Sequence, residues 1–67
     1  MNRVRIIDCP DYPEFIGCCG YVYDIIPTDA YPVKVSLDQT VTIMEDDLID
    51  EYNQAEFKQS EVREIEI

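Results

Sequence analysis

Apolar and polar positions alternate with a period of two over most of the chain, which is the pattern of half-buried strands. Arg3-Val4-Arg5-Ile6-Ile7 places Val4 and Ile6 on one face and Arg3 and Arg5 on the other. Residues 21–26, Tyr-Val-Tyr-Asp-Ile-Ile, read as a second strand, because Tyr, Val and Ile suit a pleated surface. Val33, Val35 and Leu37 point inward from a third strand over 31–37, with Pro32 near its start or at an edge. Asp38-Gln39 reads as a short hairpin-like connection to a fourth strand, Thr40–Met44, with Val41 and Ile43 facing the core. Between the first two strands, residues 8–20 hold Pro10, Pro13, Gly17 and Gly20. This is a constrained loop that no regular ladder crosses, with Phe15 and Ile16 folding back as an apolar plug. Pro27-Thr28-Asp29-Ala30 is turn material.

From Glu45 the pattern changes. Leu48, Tyr52 and Ala55 recur at i, i+4 and i+7, which predicts a short helical turn near residues 46–55, with acidic residues favourable at its start. In that helix Asp46, Asp47, Asp50 and Glu51 line one exposed flank. Alternation returns at the end, with Glu64 and Glu66 on one face and Ile65 and Ile67 on the other. Two readings of the segment from about residue 53 stay open. It closes the barrel against the first strand, with Glu64 and Glu66 facing Arg3 and Arg5, or it is a partly disordered acidic tail.

The matching pieces Gly20-Tyr21-Val22, Tyr31-Pro32-Val33-Lys34-Val35 and Met44-Glu45-Asp46-Asp47-Leu48 fall in an order that resembles small SH3-like barrels of bacterial and phage proteins. The resemblance spans roughly residues 3–50. It implies a mainly β fold, a small SH3-like barrel of about five strands, as one domain over 1–67. It implies no chemistry, because such barrels host peptide binding, nucleic-acid binding and subunit docking.

A chain of 67 residues is at most one domain, and one this short buries only about 60% of its unfolded surface. Its net charge of −10 comes from 15 acidic and 5 basic residues, with no His. The missing His removes a histidine general base and a Ser/His/Asp triad. The acidity argues against direct binding of nucleic acid and against an anionic membrane surface. No apolar run approaches the ~18 residues of a membrane span, and no signal-peptide core is present. The expected location is the cytoplasm, that of the host cell if the chain is phage-encoded. Cys9, Cys18 and Cys19 are odd in number, and two are adjacent, so a disulfide framework is not expected. Their spacing fits no zinc motif, and a catalytic thiol lacks an activating base or cation. No cofactor, metal or enzymatic activity is expected.

The charge is uneven. Residues 45–67 carry nine acidic and two basic residues, net −7; residues 1–44 carry six and three, net −3. Such a run serves either as a solubilising face or as a surface for a basic partner. The sharper expectation is a small acidic interaction protein, a phage-encoded inhibitor that places carboxylates where phosphates would sit on a nuclease or CRISPR effector. Its expected contact residues are Glu45, Asp46, Asp47, Asp50 and Glu51, with Asp11, Tyr12, Glu14 and Phe15 on the early loop. The alternative is an accessory or assembly subunit that docks through apolar and aromatic residues such as Tyr12, Phe15, Ile16 and Tyr23. An open edge strand allows a monomer or a weak homodimer.

Overall fold

The computed structural model describes residues 2–65. Five strands, β1 (Arg3–Ile6), β2 (Cys19–Ile25), β3 (Val33–Glu45), β4 (Leu48–Phe57) and β5 (Val62–Glu64), form one sheet in the order β4-β3-β2-β1-β5. Every pairing is antiparallel. The sheet is open: β4 and β5 form its two edges and do not meet. The mainly β, five-stranded class is therefore observed, while barrel closure is not. Among the described residues no helix is long and apolar enough to cross a membrane.

The core lies on one face of the sheet. Val4, Ile6, Val22, Val33, Val35, Leu37, Val41, Ile43 and Phe57 supply it, and Phe57, Ile6 and Val35 are its most enclosed side chains. The loop between β1 and β2 covers it. A 3₁₀ turn, Pro13–Phe15, drives Phe15 into the core, beside Cys9 and Cys18. Ile16 stays exposed, so only half of the expected plug forms. The loop is tied back to β1 by Ile6 N donating to Cys18 O at 2.8 Å and Gly17 N donating to Ile6 O at 2.8 Å. Gly17 takes φ +91°, a conformation that glycine adopts without steric cost. Gly20 is needed for a different reason. A Cβ there would strike the Ser36 carbonyl and come within 2.8 Å of Val35 Cγ1.

Three expectations are corrected. Asp38-Gln39 makes no turn, and β3 runs unbroken for 13 residues from Val33 to Glu45. Asp38 keeps its place in the strand and accepts a 2.7 Å salt bridge from Arg3, whose guanidinium also lies over the Tyr21 ring at 4.7 Å. Residues 46–55 are not helical: Asp46-Asp47 is a turn, and β4 follows it. The i, i+4, i+7 spacing arises from a slip in register. Tyr52 pairs with Val41 and Gln54 with Ser36, so two steps on β4 match five on β3. Leu48 and Tyr52 share a face by alternation, and the slip returns Ala55, paired with Val35, to that same face. Finally, β5 does pair with β1, but Glu64 stands opposite Val4 and Arg63 opposite Arg5. Packing of Val62 against Ile6 sets this register. Glu64 then accepts a 3.2 Å hydrogen bond from Asn2 Nδ2 and stands opposite neither Arg3 nor Arg5. Glu66 lies outside the described residues.

A domain of this size has roughly 3–10 kcal/mol of stability, and loss of a fully buried Phe costs about 3–5 kcal/mol. Phe57→Ala should therefore remove a large share of the stability and lower the urea midpoint steeply. Gly20→Ala should cost the upper end of the roughly 1–3 kcal/mol of an overpacked site. Urea titrations followed by circular dichroism check both; a Gly20→Ala midpoint equal to that of the parent would refute the close contact between β2 and β3.

Candidate functional site

The end of the β3–β4 hairpin lies beyond the pairing of β3 with β2. Beyond the slip, Val41–Glu45 pairs only with Leu48–Tyr52, closed by the two-residue loop Asp46-Asp47. Asp46 adopts φ +50°, which Asp tolerates better than most residues with a Cβ. The pairs Glu45↔Leu48, Ile43↔Asp50 and Val41↔Tyr52 share one face; Met44↔Ile49 and Thr42↔Glu51 share the other. Met44, Leu48 and Ile49 are 72%, 69% and 66% exposed, so none serves the core.

All five late acidic candidates, Glu45, Asp46, Asp47, Asp50 and Glu51, are exposed on this hairpin. Strand alternation separates them, however: Glu45 and Asp50 face the early loop, and Glu51 faces away, rather than all lining one helical flank. Among the described residues none of the five forms an ion pair. The early-loop acids Asp11 and Glu14 are exposed too. The fold joins the two patches at Tyr12, where the carboxylate of Glu45, then burial, then Tyr52, Asp11 and Asp50 hold the phenol above its ordinary pKa. Phe15, expected among the contact residues, is 4% exposed and belongs to the core instead. It is the hub of an aromatic cluster, edge-on to Tyr12 at 6.4 Å, Tyr52 at 5.9 Å and Phe57 at 5.5 Å.

That cluster floors a cleft of about 510 Å³, rimmed by Tyr12, Tyr31 and Tyr52 and edged by Asp11, Glu56 and Glu61. Glu61 is buried, and its Oε1 accepts a 2.7 Å hydrogen bond from Lys58 N. Behind one end lies Lys34, 5% exposed. Its ammonium donates to Asp29 Oδ2 at 2.8 Å and to Tyr31 O at 2.8 Å, and reaches Glu56 Oε1 at 3.1 Å. Three acceptors match its three protons. The Lys34 hydrogen bond holds the Asp29 carboxyl below its ordinary pKa, and Asp29 in turn raises that of Lys34.

Sequence reading missed Met44, Leu48 and Ile49 as surface groups, and also Tyr31, Glu56 and Glu61. The available signal was Asp46-Asp47 between two strand-like runs, a two-residue hairpin loop. Reading it so sets Met44 opposite Ile49. Burial pushes the Cys9 thiol above its ordinary pKa, and Glu61, Asp11 and Asp8 act in the same direction. Among the described residues no group of three or more His, Cys, Asp or Glu is placed to hold a metal ion. No family model matches the chain, and no curated protein or solved structure shows significant similarity to it.

Asp46→Gly should keep the hairpin, whereas Asp46→Val should cost about 1–2 kcal/mol by forcing a β-branched residue into the left-handed region; urea midpoints separate the two. For Lys34, the stability contributed by Asp29 is complete above the ordinary carboxylate pKa. It is lost as pH falls through the lowered Asp29 value. The Lys34 share is complete below its ordinary pKa and lost as pH rises through the raised one. Lys34→Met should therefore destabilise more than Lys58→Met, and should flatten the acid limb of a melting-temperature profile.

Proposed function

We propose that the chain is a non-enzymatic binding module that docks, hairpin first, onto a basic protein surface and competes there with nucleic acid. The observation that carries this reading is the set of exposed carboxylates on a projecting hairpin, none matched by a cation of the described chain. With a net charge of −10, self-repulsion is a cost to so small a fold, and a cationic partner converts it into steering. The resemblance to small SH3-like barrels supports a binding role in general, since such scaffolds differ in surface rather than in framework. A host-cell nuclease or CRISPR effector, bound in the cytoplasm by a phage-encoded inhibitor, is the partner class that this chemistry suits.

Met44, Leu48 and Ile49 favour a second reading, an accessory subunit whose apolar contacts hold the complex while charge serves solubility. These residues take over the docking role from the buried Phe15.

The test uses a partner recovered on the immobilised chain from a bacterial lysate, purified and followed by stopped-flow mixing. The first reading expects association to slow by at least about tenfold between low and physiological salt, and the bound partner to be displaced by duplex DNA. The variant Asp46→Asn, Asp47→Asn, Asp50→Asn, Glu51→Gln should show the same slowing at low salt while melting normally. Unchanged rates in that variant, together with loss of binding in Met44→Ser, Ile49→Ser, would transfer the conclusion to the second reading.

A further inference from the structure

The tyrosine-rimmed cleft is a separate feature from the hairpin tip, and its chemistry is specific. Tyr12, Tyr31 and Tyr52 are each 37% exposed, so their rings are anchored at one side and open at the other. The cleft's volume of about 510 Å³ falls in the range of sites that enclose a side chain or small ligand. Its surroundings are electronegative. Asp11 and Glu61 lie on its wall, Glu45 and Asp50 act on Tyr12 from the hairpin, and none of the four has a Lys or Arg partner among the described residues. Glu56 also lines it but shares its charge with Lys34. An apolar ligand would leave these carboxylates desolvated and unmatched.

The chain itself shows what its tyrosines accept. The Lys58 ammonium stands over the Tyr31 ring at 5.8 Å, at the cleft's own rim, and the Arg3 guanidinium lies over Tyr21 at 4.7 Å. Aromatic faces attract cations through the ring quadrupole, arginine most often, and a planar guanidinium can stack on a ring while directing its N–H groups to carboxylates.

We infer that the cleft receives an arginine side chain of a basic protein partner, the guanidinium lying against the tyrosine rim with its charge met by Asp11 and Glu61 on the cleft wall. This deepens the reading of the chain as a binder of basic surfaces and rests on it for the source of the arginine. The cleft supplies an anchoring pocket, and the hairpin supplies steering.

The experiment is an NMR titration of the isotope-labelled full chain with acetyl-Gly-Arg-Gly-amide, with the isosteric neutral acetyl-Gly-citrulline-Gly-amide as control. The arginine peptide should shift the ring signals of Tyr12, Tyr31 and Tyr52, and the citrulline peptide should bind at least about fivefold more weakly. Tyr52→Leu keeps an apolar side chain but no ring, and should weaken arginine binding by a similar factor. Lys58→Met removes the competing cation and should strengthen it. The hairpin-tip variant Asp46→Asn, Asp47→Asn, Glu51→Gln should leave peptide affinity within about twofold, because those groups do not edge the cleft. Its loss of partner association would concern the steering surface alone. Equal binding of the citrulline peptide, or shifts confined to residues outside the cleft, would overturn the inference. If Tyr52→Leu fails to fold, Tyr12→Leu and Lys58→Met give the same contrast at the rim.

Discussion

A single sheet has two faces, and with no α-helix among the described residues to lay across one of them, a loop must cover it. Everything else in this structure depends on how the segment between β1 and β2 meets that constraint. Prolines and glycines shape it, backbone hydrogen bonds pin it to β1, and Phe15 enters the core as its one large apolar group. The contact of Phe15 with Phe57 joins the cover to β4, and its contacts with Tyr12 and Tyr52 fix the outer aromatic layer. The same side chain that excludes water from the core thus sets the floor of the cleft.

The charge arrangement follows from strand geometry as much as from composition. A helix would have gathered the late acids on one flank. The hairpin instead divides them, turning Glu45 and Asp50 toward the early loop and Glu51 toward Met44 and Ile49. The division gives the projecting end two unlike faces, one acidic and aromatic, the other acidic and apolar. Both are consistent with a protein partner, and the first has the chemistry of cation recognition.

The strands β1 and β2, the first half of β3 and the covering loop were legible in the sequence, because alternation and the Pro/Gly cluster are local signals. The rest turned on pairing. Asp38-Gln39 looks like a turn locally, yet Asp38 is held in the strand by Arg3, 35 residues away. Leu48, Tyr52 and Ala55 mimic a helical face because a register slip displaces one of them, and a slip is a property of two strands. The ends of the chain meet, but the burial of Val62 decides which residues face which, and it puts Arg63 beside Arg5. Of the candidate site, the exposed acids and Tyr12 were readable from charge and loop position. Tyr31, Glu56 and Glu61 come from three separate segments, and only the folded sheet brings them together.

The Arg5–Arg63 juxtaposition has an effect at long range. Like charges opposite each other cost local stability, but here they sit on β1 and β5, which do not pair with the acidic hairpin. Arg5 and Arg63 partly offset Glu64 there, whereas the hairpin acids have no ion-pair partner among the described residues, so the charge is unevenly distributed. In the field of a cationic surface the molecule experiences a torque, which turns the hairpin acids toward that surface before any contact is made. Orientation, usually the slow part of protein association, is then partly resolved during diffusion.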